Sequence, residues 1–174
     1  MKTVRTIWIL GCLGGLVGMT PSAGCTTTVP TEGGIDTTAA PSAEQLFRMV
    51  TETDPFEQWA QFPEAVGTVD SAAPHGPMAR IFINAQVENA MDGGTLPLPD
   101  GSIIVKENLG QSASEKAEAW TIMWKVAGFD ADNNDWFWAN ITPDGEVRAE
   151  GRIDGCISCH SGARTNDYVF THTF

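Results

Sequence analysis

Cysteine is scarce in this 174-residue chain, and its placement makes it scarcer. Cys12 and Cys25 lie at the N-terminal end, so only Cys156 and Cys159 are left for a folded body. Two thiols exclude a disulfide-stapled framework and an iron–sulfur cluster, which wants four cysteine ligands. Tyrosine occurs once, against six Trp and eight Phe, so the aromatic payload is apolar. Such a payload packs a core or encloses a flat apolar ligand. Positive charge is thin as well: ten Lys and Arg stand against 22 Asp and Glu, for a formal net charge of -12. That balance excludes nucleic acid as a partner, since phosphate backbones demand basic patches. It fits a basic redox partner drawn in by a long-range field. With 42% hydrophobic and 18% charged residues, the composition is that of one globular domain with a real core.

A long membrane-spanning run is also lacking. "MKTVRTIWILGCLGGLVGMTPSAGC" opens with Lys2 and Arg5, continues with an apolar run from Ile7 to Val17, and ends in small residues. The run is short for a span and has the layout of an export signal over residues 1–24. This predicts a periplasmic or extracellular location. Cys25 after "PSAG" resembles a lipoprotein cleavage site, with Ser22 where a leucine is usual. Lipidation of Cys25, giving a membrane tether, and plain secretion stand as alternatives. Residues 25–43, rich in Thr, Pro, Ala and Gly, read as a flexible tether ahead of a folded domain over residues 44–174.

Order begins with a helix at "SAEQLFRMV", capped by Ser42 and striped by Leu46, Phe47 and Val50. "DPFEQWAQFPE" predicts a second helix, with Asp54 as cap and Pro55 at its first position. Strands follow at 78–84, 102–107, 119–126, 135–141 and 145–152, with turns at "LPDG" and "TPDG". In "AWTIMWKV", Trp120, Ile122, Trp124 and Val126 share one face, and Thr121, Met123 and Lys125 the other. "DADNND" lacks the glycine and final glutamate of a calcium loop and reads as a turn. The fold class is α+β: a mainly antiparallel sheet with flanking helices, and a cysteine motif near the C-terminus.

That motif is "CISCH", residues 156–160. Two cysteines about one helical turn apart can each add to a haem vinyl group, and the adjacent histidine then sits under the iron. The rivals fall short. A structural zinc site wants four ligands, and only His75 and His172 remain to complete one. A redox dithiol belongs at the start of a helix in an α/β pattern, which this chain lacks. Cys156 and Cys159 are thus the expected attachment points of haem c, and His160 its iron ligand. The far side of the iron stays open in this reading: His75, His172, Met49, Met78, Met91 and Met123 could each fill it, and none stands in a ligand motif.

"HGPMARIFIN", "LPDGSIIVKEN", "DWFWANITPDGEV" and "CISCH" followed by "DYVF" together resemble the cytochrome P-460 family, which includes the cytochromes c′-beta. The likeness runs from about Phe56 to the C-terminus. It implies a mainly antiparallel β fold, often dimeric, around one five-coordinate c-type haem. It implies enzymes that oxidise hydroxylamine through bound nitric oxide, with a lysine joined covalently to the haem edge. It implies equally the c′-beta members, which lack that link, have an apolar Phe-lined distal side, and bind nitric oxide or carbon monoxide. Lys106, after the apolar Ile103–Val105, resembles the cross-linking lysine. Arg80 resembles the pocket arginine, with a salt bridge on the sheet as the alternative. For the carboxylate expected just before the haem motif the nearest residue is Glu150, with Asp154 behind it.

Strand parity sets Glu150 against that role. Glu146, Arg148, Glu150 and Arg152 share one face, and Val147, Ala149 and Gly151 the other. If the small face meets the haem, Glu150 points away unless Gly151 marks a bulge. The wall would then be Ala149, Gly151 and a phenylalanine such as Phe82. Three readings follow: a hydroxylamine-oxidising oxidoreductase using Lys106, Glu150 and Arg80 and passing electrons to a small cytochrome; a gas-binding haem protein; and a six-coordinate electron carrier.

Overall fold

The structure is a computed structural model, and it describes residues 40–111 and 116–174. The expected export signal, Cys25 and most of the tether lie outside the described residues. Six strands form one antiparallel sheet in chain order: β1 (Val69–Asp70), β2 (Met78–Ile83), β3 (Ile103–Leu109), β4 (Ala119–Lys125), β5 (Trp136–Ile141) and β6 (Val147–Gly151). Each strand pairs with its sequence neighbour, so short turns suffice and no crossover is needed. Both faces of the central strands are buried, which explains their near-continuous apolar runs.

Alternation along the strands sends residues into two separate cores. Val105, Trp120, Ile122, Phe137 and Ile141 point to one face. There they pack against α1 (Ala43–Arg48) and the turns after it, through Leu46, Val50 and Phe56. Ile81, Ile104, Met123, Trp136 and Trp138 point to the other face. That side is covered by α2 (Ala85–Gly93), by the C-terminal Tyr168 and Val169, and by Cys156 and Ile157 of α3 (Asp154–His160). The cysteine motif thus lies against the second face. Among the described residues no helix is long and apolar enough to cross a membrane.

The α+β class with a mainly antiparallel sheet is what the sequence predicts, with differences in detail. Ser42 caps α1 by accepting from Gln45 N, and Ala43 is already fully buried, so the helix and its packing include residues just ahead of 44. The second helix expected at "DPFEQWAQFPE" is a single 3-10 turn, Phe56–Gln58. Trp59 turns extended and Ala60 bridges to Ile83, so edge pairing and burial of Phe56 override the capping signal. The second α-helix is α2 instead. Asn84 caps it by accepting from Val87 N, and Gly94, left-handed at φ 58°, ends it. The short strand β1 was not expected either; it returns the chain to β2 through the loop carrying His75.

Candidate haem site

A cavity of about 430 Å³ lies between the second face of the sheet, the loop between β1 and β2, α3 and the C-terminal segment. Such a volume is typical of a cofactor or ligand site. Ile104, Lys106, Thr121, Met123 and Trp138 form its floor; Cys156, Cys159 and His160 form one wall; His75 enters from the loop. Most of the lining is apolar, and Asp70 at the exposed mouth is the one carboxylate among the lining residues.

The wall follows from the helix. Residues 156 and 159 are three apart, and 156 and 160 four apart, so all three side chains share one face of α3. Neither cysteine is in a disulfide. Burial raises the Cys156 thiol above its usual range, and the neighbouring Cys159 adds to it. His160 Nδ1 lies 2.7 Å from the carbonyl oxygen of Tyr168. A carbonyl can only accept, so Nδ1 carries the proton and Nε2 keeps its lone pair. Trp138 and Phe170 pack on the ring at 4.9 and 5.4 Å between centroids.

The carbonyl that orients His160 is itself held. Asp167 and Tyr168 both have positive φ, 51° and 68°, a conformation uncommon for residues other than glycine. The buried Asp167 carboxylate fixes the turn. It accepts from Lys125 Nζ at 2.5 Å, from Leu98 N at 2.7 Å and from Asn134 Nδ2 at 2.8 Å. Trp136 Nε1 donates to the Asp167 carbonyl at 2.9 Å. The segment "NDYVF" is therefore a clamp on the imidazole, a role the sequence reading did not assign it.

Lys106 lies mid-strand on β3, opposite Ile81 and Thr121, with its side chain on the cavity floor. Burial lowers its ammonium below the usual range. His75 reaches the cavity from the other side. Its Nδ1 lies 2.9 Å from Thr121 Oγ1, and its ring centroid is 6.1 Å from that of His160. Burial, then the charges of Lys106 and His160, push His75 down to about 4, so its ring is neutral near pH 7. The same desolvation lowers His160, against the raising effect of its bond to Tyr168.

Two expected catalytic residues stand elsewhere. Glu150 pairs with Ala139 in the β5–β6 ladder, and its Oε2 accepts from Ala43 N at 2.5 Å. It belongs to the α1 side of the sheet, away from the cavity. The ladder's register shift falls at Asn140/Ile141 and not at Gly151, so nothing turns Glu150 inward. Arg80 also faces the α1 side. Its Nε lies 2.7 Å from the Glu107 carboxylate, the salt bridge foreseen as the alternative. Phe82 packs at 5.2 Å on Phe56 and lines no part of the cavity. Ala149 and Gly151 share the face of Asn140 and Trp138, as parity required, but stand outside the lining. His172 bonds Glu64 and stacks on Phe62. Of the methionines named, only Met123 lines the cavity.

The family model described as Cytochrome P460 matches residues 53–171, most of the chain. The chain belongs to the cytochrome P460 family. No curated protein matches it at a significant level. Membership implies a c-type haem, and the cavity's residues fit one. Two unpaired thiols and an imidazole with its lone pair available share one helix face against an apolar cavity. Trp138 Nε1 is a buried donor without a partner among the described residues, and its ring lines that cavity. An occupant with acceptor atoms would relieve its desolvation cost. Cys156 and Cys159 would hold the haem through thioethers and His160 would ligate the iron.

Proposed function

We propose that this P460-family protein is an exported c-type cytochrome that captures a small neutral nitrogen ligand, nitric oxide, in place of turning over hydroxylamine. One observation carries the reading: among the described residues the cavity wall offers no buried carboxylate, because Glu150 is engaged with Ala43 N on the other side of the sheet. Hydroxylamine must shed protons as it is oxidised, and a general base has to lie within hydrogen-bond reach of them. Nitric oxide carries no proton to remove and suits an apolar cavity. The haem, when attached, supplies the iron that takes such a ligand.

The chain's own residues do the rest. Tyr168 keeps the proton on His160 Nδ1, which leaves Nε2 for the metal. Ile104, Met123 and Trp138 exclude water from the floor. The acidic surface suits a basic electron-transfer partner such as a small cytochrome, and a lipid on Cys25 would keep the domain at a membrane; a homodimer fits the family.

A second reading, hydroxylamine oxidation, is favoured by Lys106, whose half-buried side chain lines the cavity floor and would be the one to bond the haem edge. Asp70, at the mouth, would then be the nearest acid. Four measurements separate the readings. The capture reading expects an intact mass equal to chain plus ordinary haem c, rapid nitric oxide uptake by the ferrous protein, and no turnover of hydroxylamine with an artificial acceptor. A strongly red-shifted ferrous Soret band with steady turnover would overturn it in favour of the second.

A further inference from the structure

We propose that the mouth of the haem cavity, centred on Phe170, is the docking surface for a small basic redox protein. The surface rests on the haem site alone; the direction of electron flow given below rests on the nitric oxide reading.

Phe170 is an aromatic ring out of place. At 60% exposure it is the one exposed aromatic side chain among the described residues, where the rest are buried or half-buried. Its ring is not loose. It packs on the His160 imidazole at 5.4 Å between centroids, and its Cζ stands 3.4 Å from where a Cβ on Gly162 would lie. A rigid exposed ring offers a partner large contact area with little entropy left to lose, which is the character of an interface anchor.

The surroundings match. Residues that line the cavity and are also exposed mark where it opens: Ala72, Ala73 and Pro74 from the β1–β2 loop, Cys159 from α3, and Phe170 itself. These form an apolar collar, and an apolar patch with a polar rim is the pattern of a protein contact. Carboxylates supply the rim. Asp70 is exposed and lines the mouth. Asp154 is exposed beside Gly155, another lining residue, and the exposed Glu64 bonds His172, two residues beyond Phe170. Arg164 comes from the same segment, but its guanidinium is turned back onto the Asp132 carbonyl and the Tyr168 ring. Lys106 lies deeper, on the floor. Three rim acids thus outweigh one turned-away cation, on a chain of formal charge -12.

These two features select the occupant. Like-charge repulsion turns away acidic proteins and nucleic acid. A small uncharged ligand would pass the collar without using the acids around it. A protein with an apolar centre ringed by lysines matches both. Position supplies the purpose: Phe170 touches the imidazole expected to ligate the iron, so a partner seated on it stands one side chain from that ligand. In the capture reading the partner's reduced centre gives up one electron and leaves oxidised, and the ferric iron becomes the ferrous form that takes up nitric oxide.

The test uses the holoprotein with a lysine-rich mitochondrial cytochrome c as probe, and calorimetry reads the affinity. The parent should bind at low ionic strength, and more weakly as salt rises. Asp70→Lys should weaken binding by about fivefold or more. Glu52→Lys, the same charge change at an exposed site in the turn after α1, should change it far less. Ala72→Gln, which sets a polar side chain in the collar, should weaken binding and leave the salt dependence as in the parent. Succinylated probe, with its lysines made acidic, should not bind. Equal losses in Asp70→Lys and Glu52→Lys would reduce the effect to net charge and overturn the proposal, as would a parent that does not bind the probe. A parent that self-associates in sedimentation and is split by Ala72→Gln overturns it too, giving the face to a second copy. Nitric oxide uptake by chemically reduced protein judges the capture reading separately. Uptake without probe binding defeats this inference alone; probe binding with steady hydroxylamine turnover defeats the capture reading alone and reverses the electron's direction across the same surface.

Discussion

Glu150 Oε2 accepts from Ala43 N at 2.5 Å, joining the last strand of the sheet to the first turn of α1. Residues 107 positions apart are tied by one charged hydrogen bond, on the side of the sheet away from the cavity. A carboxylate there also meets the positive end of the helix dipole, beside the Ser42 cap. Glu150→Ala is expected to cost about 1 kcal/mol, the scale of a lost N-terminal cap, and to leave the haem spectrum and ligand affinity unchanged. Chemical denaturation and a nitric oxide titration of the same sample check both halves. A spectral change would return Glu150 to the cavity.

Asp167 behaves differently, because its bonds converge on the backbone that orients His160. The Lys125 ammonium is buried beside it, and burial lowers that ammonium even against the pull of Asp167. Asp167→Asn removes one charge of a buried pair and leaves the other uncompensated, which costs about 3–5 kcal/mol. Unlike Glu150→Ala, it should also disturb the iron, since the Tyr168 carbonyl loses its fixed position. The expected outcome is a lower melting temperature together with a shifted reduction potential. A Lys125→Met, Asp167→Leu double variant should recover part of the stability and none of the potential.

These two residues also show what could be read from sequence. The grouping of Cys156, Cys159 and His160 was legible because it is local: two thiols and an imidazole at fixed spacing on one helix need no tertiary information. The strands were legible through alternation, and the parity of Glu146, Arg148 and Glu150 already set Glu150 against the haem. Arg80 was misassigned because a strand's alternation shows which residues share a face and not which face meets the cavity. The clamp at Asp167 was invisible for another reason. Its partners Leu98, Lys125 and Asn134 come from separate loops and strands, brought together only by the fold. The helix α2 carried readable caps in Asn84 and Gly94, but it buries only Val87 and Ala90, too little for its stripe to stand out.

The ion pair of Arg80 and Glu107 gives a pH prediction. Burial raises the Glu107 carboxyl above its usual range, more than Arg80 and Trp120 lower it. A carboxylate whose folded value exceeds its unfolded one binds protons preferentially in the folded state. Its contribution is therefore complete below pH of about 4.5 and is lost as pH rises through the raised value. Glu107→Gln should flatten that part of the stability–pH curve, making the variant relatively more stable above it. Denaturation midpoints from pH 4 to 7 test the sign; a steeper curve in the variant would show that Arg80 dominates.

Gly76 joins loop geometry to the cavity. Alanine at this position meets two obstacles: a φ of 76°, and a Cβ 2.6 Å from the Leu109 carbonyl oxygen. The left-handed backbone alone costs roughly 1 kcal/mol or more for a residue with a Cβ. Relief of the contact has to come from the β1–β2 loop, because Leu109 is held in the β2–β3 ladder opposite Met78. Moving that loop moves His75 and stretches its bond to Thr121. Gly76→Ala is therefore expected to speed nitric oxide uptake, while lowering the melting temperature only modestly. Thr121→Val should give the same kinetic trend without the loop strain, since it removes the hydroxyl that seats His75. Parallel behaviour of the two variants would trace the faster uptake to the seating of His75. A response to Gly76→Ala alone would trace it to a general loosening of the loop.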